Sequence, residues 1–381
     1  MATLHCDAFL TQSPKHRGKP CGDVILLLRE QHGTVALLAD GLGSGLRANL
    51  AAQLCVSRLR VLLEQGMPLF TTFSHVAQSM NRARGTTLPY AVFVLARVLR
   101  DGTAHVLSYD MPEPLLLHAG HAGVLPLHTR MMGKAIVGEA EFLLAPGDGV
   151  MLFSDGVSQA GMGQGFVHGW GSRGVATYLD ELPLGTALSS LASRVHDRAL
   201  EHNRGGVGDD TSVVLLAGRE EKKVVLFTGP PANPADDSTV TQAFVRASGA
   251  KVICGASTAS IVARVLRREV LVEHGERSLY SPPRSFIQGM DLVTEGAVTL
   301  NQVYNILDRG DITLEEGSAV TALCRLLREA DTIHVFLGGG VNPVSGDTGF
   351  LLRGILERRS IVPLLAEKLR ALGKFVSIQE V

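Results

Sequence analysis

The chain has 381 residues, with 36 basic against 37 acidic side chains and a formal net charge of −1, so it is long enough for two ordinary domains. That balance advertises neither nucleic acid nor an anionic membrane as a partner. Five cysteines (Cys6, Cys21, Cys55, Cys254, Cys324) are scattered without CxxC or CxxH spacing and read as reduced thiols. No basic-then-apolar leader is present and no apolar run nears the roughly 18 residues of a membrane helix, so a soluble cytoplasmic protein is expected.

Taken in order, residues 1–20 give a short apolar-alternating start and a basic loop, Ser13-Pro14-Lys15-His16-Arg17-Gly18-Lys19-Pro20. Lys15, His16 and Arg17 stand just upstream of Asp23, placed either to meet an anion or to be solvated. Cys21-Gly22-Asp23 opens the apolar run 24–28, and a turn at Gln31-His32-Gly33 leads to the run 35–39. The two read as a hairpin with little polar alternation, as for strands in a sandwich. The second run ends in Asp40-Gly41, and a glycine-spaced turn enters a helix from about Leu46 to Glu64. Ala48, Ala51, Cys55, Leu59 and Leu62 share one face of that helix.

Residues 70–84 read as a second helix and residues 86–98, 104–107 and 115–117 as strands, with a hairpin at Asp101-Gly102. His118 and His121 lack a third ligand at fitting spacing and read as ordinary histidines. The strand-then-Asp-Gly device recurs where the run 150–153 ends in Ser154-Asp155-Gly156. The glycine-rich run from Gly161 to Gly171 reads as a flap over a site or as a plain connection. A helix is expected over 186–202, after which Gly208-Asp209-Asp210-Thr211-Ser212 opens the strand 213–216.

Four carboxylates at four strand ends can converge. Such a cluster repels itself, so it either takes up protons at raised pKa or binds hard cations. All-oxygen ligation suits Mg2+ or Mn2+ rather than zinc, and a glycine after an Asp leaves the Gly41 carbonyl approachable as a further ligand. Any single Asp-Gly is a turn signal. The force of the pattern lies in four units in order, each set against an apolar strand.

That order is Gly22-Asp23, Ala39-Asp40-Gly41-Leu42-Gly43-Ser44-Gly45, Leu144-Ala145-Pro146-Gly147-Asp148, Ser154-Asp155-Gly156 and Gly208–Ser212. It resembles the metal-dependent PPM-type (type-2C) serine/threonine protein phosphatases, and within them the bacterial SpoIIE-like branch. The resemblance covers about residues 1–218 and implies an α+β β-sandwich flanked by helices. It implies that Asp40, the Gly41 carbonyl, Asp155 and Asp209 hold two Mn2+ or Mg2+ ions, with Asp23 as ligand or neighbour and Asp210 orienting the cluster. It further implies attack of an activated water on phosphoserine or phosphothreonine of a small regulatory protein such as an anti-anti-sigma factor. Two departures stand out: Leu42 replaces the His that many eukaryotic relatives carry after the Asp-Gly, and Ser108–Pro114 replaces an Asn-Ala-Gly-His-x-Pro-Pro segment. A catalytically silent phosphoprotein-binding module and a small-molecule phosphoesterase remain open alternatives.

Residues 219–223 form a polar break, after which the grammar changes. Apolar runs at 224–228, 251–254, 269–272, 290–293 and 333–337 alternate with helix-like segments at 238–248, 257–268, 299–308, 316–329 and 361–372. Alternation means a separate α/β domain over 224–381 with a mostly parallel sheet. Three runs end in Gly229-Pro230-Pro231-Ala232-Asn233-Pro234, Cys254-Gly255-Ala256-Ser257-Thr258 and Gly338-Gly339-Gly340-Val341-Asn342-Pro343. At strand carboxyl ends such turns let backbone N–H groups meet an anion. Neither GxGxxG nor GxxxxGK[ST] is present. A small-ligand or partner sensor, a dimerisation or docking role giving a homodimer, and a second enzyme stay open for this half. Asp291, Thr294, Glu295 and Asn301 are its polar candidates, with a helix N-cap as the alternative.

Overall fold

The computed structural model describes residues 3–30, 32–43, 45–183, 185–203, 208–272, 285–309, 318–340 and 355–381. Gln31 and Ser44 in two expected turns, Glu316 at the head of an expected helix, and Val341, Asn342 and Pro343 of the third glycine turn lie outside the described residues. The chain forms two compact units, Met1–Glu220 and Glu221–Val381.

In the first unit, long runs of β-branched and leucine residues build two antiparallel sheets. One sheet joins β1 (Leu4–Ser13), β11 (Thr211–Glu220), β10 (Gly149–Phe153), β6 (Leu115–His118) and β7 (His121–Val124) in that spatial order. The other joins β2 (Asp23–Glu30), β3 (Gly33–Gly41), β4 (Ala91–Leu99), β5 (Thr103–Tyr109), β9 (Ala135–Leu143) and β8 (His128–Met132). Ala36, Leu38, Val94, Ala96 and Val106 of one sheet meet Val150, Leu152, Val214 and Leu216 of the other in a shared core. The alternate residues Val35, Leu37 and Ala39 pack instead under α1 (Leu46–Glu64) and α2 (Leu69–Ala83). On the opposite side Met151, Phe153, Val213 and Leu215 pack under α3 (Asp155–Ser158), α4 (Gly171–Asp180) and α5 (Leu188–His202). The unit is therefore a helix–sheet–sheet–helix sandwich, and its central strands are apolar on both faces because both faces are covered.

Helix α1 has the bounds the pattern predicts and buries Ala48, Ala51, Cys55 and Leu59 as expected, while Leu62 is only partly buried. Strand β4 begins at Ala91, later than the predicted 86, because the Thr86 hydroxyl donates to Ala83 O at 2.6 Å and ends α2 in a turn. Strands β7, β8 and β9 and helix α4 have no counterpart in the sequence reading. The glycine-rich run is a packed turn in this structure: Trp170 is buried, and the Phe166 and Trp170 rings each stack edge-on at 4.9 Å from His202.

The second unit carries β12 (Lys223–Thr228), β13 (Ala250–Cys254), β14 (Leu271–Val272), β15 (Ser285–Phe286), β16 (Leu292–Thr294), β17 (Thr332–Leu337) and β18 (Phe375–Glu380). The spatial order is β14-β15-β16-β13-β12-β17-β18, parallel from β16 to β18, with β14 and β15 antiparallel at one edge. Helices α6 (Asp237–Arg246) and α7 (Ala256–Leu266) cover one face over Phe227, Ile253 and Phe336. Helices α8 (Ala297–Ile306), α9 (Ala319–Glu329) and α10 (Arg358–Ala371) cover the other over Leu226, Val252 and Val335. Among the described residues no helix is long and apolar enough to cross a membrane.

Leu38 is fully buried between the two sheets, whereas Leu50 on α1 is 50% exposed. Leu38→Ala is expected to destabilise the first unit by about 2–5 kcal/mol through lost transfer energy plus a cavity, and Leu50→Ala by less than about 0.5 kcal/mol. Urea unfolding of the two variants checks this; equal losses would contradict the shared core.

Candidate active site at one end of the sandwich

The strand parity that builds the inter-sheet core also aims the acids. Asp40 continues the parity of Ala36 and Leu38, Ser154 that of Val150 and Leu152, and Ser212 that of Val214 and Leu216. Asp23 is the direct cross-strand partner of Asp40 in the β2–β3 ladder. These residues therefore gather where the core ends and the gap between the sheets opens. Asp155 opens α3, and Asp209 and Asp210 immediately precede β11.

Buried hydroxyls brace the cluster. Ser212 Oγ donates to Asp23 Oδ2 at 2.6 Å and accepts from Gln12 Nε2 at 2.8 Å. Ser154 Oγ accepts from Ser212 N at 3.0 Å and donates to Asp210 O at 3.3 Å, so β10 and β11 are pinned to each other at the site. The close approach of α1 fixes Gly41: a Cβ there would stand 1.9 Å from Ala48 O. The glycine is thus demanded by the helix packing against it, a reason distinct from the access to its carbonyl that the sequence suggested.

Lys15 is the one member of the basic loop that reaches the acids. Its backbone N–H donates to Asp210 Oδ1 at 2.8 Å and its Nζ lies 3.5 Å from Asp209 Oδ1, while His16 and Arg17 are exposed. His118 and Asp148 form a separate cluster, with His118 Nδ1 3.0 Å from Asp148 Oδ2 and the same carboxylate accepting from Ala145 N at 3.0 Å. Asp148 therefore closes the turn before β10 and stands apart from the acidic group. Gln12, Ser154 and Ser212 were not singled out from the sequence, although Ser154 and Ser212 sit inside the quoted motifs at inward-facing positions.

The acids act on one another electrostatically. Burial, then the charges of Asp23, Asp155, Asp209 and Asp210, pushes the Asp40 carboxyl up to about 9. Burial likewise raises Asp23 to about 7 against the opposing Ser212 hydrogen bond, with Asp210 and Asp155 adding to the rise. Asp155 is raised by burial and by Asp209, with the neighbouring Asp40 carboxyl and the Gly156 backbone N–H opposing the rise. Asp23 Oδ1 is buried without a hydrogen-bond partner. Orphaned and proton-loaded oxygens of this kind have the donor chemistry of a hard-cation site. Among the described residues, however, no three His, Cys, Asp or Glu side chains are drawn close enough to form a ready ligand group.

Between the ordinary carboxylate range and these raised values the folded chain binds more protons than the unfolded chain, so stability falls as pH rises. In chelator, the Tm is expected to drop between about pH 5 and about pH 8, and Asp40→Asn to raise the Tm at the upper end and flatten the slope. A Tm that is level or rising over that range in the unmutated chain would contradict the cluster.

Comparison with known proteins matches residues 30–218 to the SpoIIE (stage II sporulation protein E) family. No curated protein matches the sequence. Among solved structures, the PP2C phosphatase domain with a fragment of the regulatory domain of SpoIIE from Bacillus subtilis is 17% identical, with a TM-score of 0.51. That match covers 58% of this chain and 65% of that one, so the chain spans just under two thirds of its relative. The RsbU and RsbW domains of a Mycobacterium tuberculosis protein are also 17% identical, with a TM-score of 0.48 over 64% of this chain and 69% of that one. The first unit has the fold of the PP2C phosphatase domains, and residues 30–218 match the SpoIIE family.

Proposed function

We propose that the chain is a metal-dependent serine/threonine protein phosphatase acting on a phosphorylated regulatory protein of the anti-anti-sigma kind. The observation that carries the reading is the convergence of Asp23, Asp40, Asp155, Asp209 and Asp210 at one sandwich end, with Asp40 and Asp23 pushed far above the usual carboxylate range. Asp40, the Gly41 carbonyl, Asp155 and Asp209 would hold two Mn2+ or Mg2+ ions, with Asp23 as a further ligand. Such ions, when bound, lower the pKa of water and offset charge on a phosphoryl group.

The chain's own residues prepare that chemistry. Ser212 and Gln12 hold Asp23 in one orientation, so no rotamer search is left for its carboxylate. Asp210 accepts from the Lys15 backbone and orders the basic loop beside the acids. The Lys15 ammonium, near Asp209, stands where a phosphate dianion gains from a cation, which makes it the substrate contact within the loop; His16 and Arg17 remain further candidates from their exposed positions. Leu42 supplies no proton, so the leaving serine or threonine oxygen takes its proton from water or from another group. The domain assignment follows the same division, residues 1–218 for catalysis and 224–381 for a sensor, docking or dimerisation role; of the expected linker 219–223, only Glu221 and Lys222 lie between β11 and β12.

Phosphate release from a phosphoserine peptide and from para-nitrophenyl phosphate, with Mn2+ and with chelator, tests the proposal. Asp155→Asn is expected to lower the Mn2+-dependent rate at least about a hundredfold, roughly 3 kcal/mol of transition-state stabilisation, while the thermal melt stays cooperative. Wild-type turnover in the variant would overturn the assignment. Turnover of the aryl phosphate with no preference for phosphopeptide would favour a small-molecule phosphoesterase.

A further inference from the structure

The second unit holds a crevice that the phosphatase reading does not use. Its five parallel strands lie in the order third, second, first, fourth, fifth, so that β12 and β17 are neighbours whose chain connections depart in opposite directions. Helices α6 and α7 go to one face from that point and α8, α9 and α10 to the other. A doubly wound sheet opens a crevice at the carboxyl ends of two such strands. Here the turns after β12 and β17 meet at van der Waals limits, since a Cβ on Gly338 would stand 2.2 Å from Pro230 O.

A cavity of about 480 Å3 opens beside the β17 turn, lined by Leu337, Gly339, Arg359, Pro363, Ile378 and Glu380. The sequence suggests that backbone N–H groups of the glycine turn receive an anion. The structure corrects this: Gly338 N donates to Thr228 O, Gly339 N to Val381 O and Gly340 N to Pro230 O, so all three are spent. Positive charge at the cavity comes instead from Arg359, whose neighbour in sequence is Arg358. Arg358 lies against Gly229 and reaches Gly340 O at 3.4 Å, and Arg359 donates to Gly339 O. Both contacts are to neutral carbonyl oxygens. Burial and the neighbouring Arg359 charge hold the Arg358 pKa below the usual arginine value, against the opposing charge of Glu357. Asp291, Thr294 and Asn301 lie elsewhere: Asp291 accepts from Lys251 N at the amino end of β13, and Asn301 ties α8 to Leu356. The N-cap of α8 is Gly296, with no side-chain cap.

We infer that the crevice at the carboxyl end of β17 is a binding site for a small organic anion. Its carboxylate or phosphate pairs with Arg359, and its hydroxyl or amino group donates to Glu380. Guanidinium suits either anion through paired N–H donors, and a cavity of this size takes a metabolite-sized molecule with an apolar wall at Leu337, Pro363 and Ile378. The inference is independent of catalysis in the first unit.

Three matched probes test it on the full chain in chelator, by ligand-observed NMR: glycerol 3-phosphate, glycerate and glycerol. At least one of the two anions is expected to bind and glycerol is not; which anion binds identifies phosphate or carboxylate as the group recognised. Arg359→Gln is expected to weaken anion binding at least about tenfold, the effect of losing a charge-assisted pair. Arg325→Gln, which removes an equal charge at an exposed position of α9 that does not line the cavity, should leave anion affinity unchanged. Absence of binding by both anions, equal binding of glycerol, or parallel losses in both variants, which would mark a general effect of charge, would each overturn the site.

Discussion

Asp23 and Asp40 face each other across the β2–β3 ladder, and the first unit is arranged around what that juxtaposition costs. Directly opposed residues in an antiparallel pair lie roughly 5 Å apart, where two unit charges repel by about 3 kcal/mol at an effective dielectric constant of about 20. The chain adds three more carboxylates to the same place and removes water with a closed sandwich core. Protons are the local remedy, which is why Asp40 rises to about 9, but the surrounding hydroxyls are set to favour charge: Ser212 donates to Asp23. A fold that orients its acids for ionisation and buries them at once is poised for a cation or for a substrate that brings one.

Much of this was legible in the residues. The hairpin with Asp40 at its end, helix α1 and the recurrence of Asp-Gly after β10 all follow from apolar runs terminated by a short polar residue and a glycine, a local pattern with a local cause. The parity of the strands was not legible. Strands apolar on both faces show no alternation, so nothing in the runs 35–39 or 150–153 says which residues meet across the sandwich. The parity became visible only through the core shared by Leu38, Leu152 and Val214. Gln12 was missed for the same reason, since its role depends on β1 pairing with β11, a contact 200 residues distant in sequence. Short edge strands such as β7 and β8 escaped because exposed, mixed segments carry no period.

In the second unit the alternation of strands and helices was sufficient to give a parallel sheet, because each crossover is a local event. Strand order is decided elsewhere, by which face each helix covers, and that depends on matching surfaces across the whole unit. Two expectations attached to local composition failed accordingly. The glycine turn was read as an anion cradle, yet its N–H groups close the turn on its neighbours. The polar group Asp291, Thr294, Glu295 and Asn301 has a helix N-cap as its alternative, yet the N-cap of α8 is Gly296 and the Asn301 amide bridges α8 to Leu356. In the glycine turn, backbone groups that look available in sequence are already satisfied in three dimensions, as buried backbone generally must be.

The two units use strand ends in the same way and with opposite sign. In the first, polar residues at the ends of buried strands are carboxylates, and the glycine beside Asp40 exists because a helix backbone comes within contact distance. In the second, glycines again permit two turns to touch, but the charge stands on Arg358 and Arg359, which come from the start of the following helix rather than from the strands. A strand end holds a short side chain rigidly and suits a ligand such as a metal ion, whose geometry tolerates little displacement. A long guanidinium side chain from a helix start covers distance at the cost of rotamer entropy and suits a ligand recognised chiefly by charge and shape. Asp on strands in one unit and Arg on a helix in the other are thus two ways of placing charge at strand ends, suited to the small cations and the larger anion proposed for them.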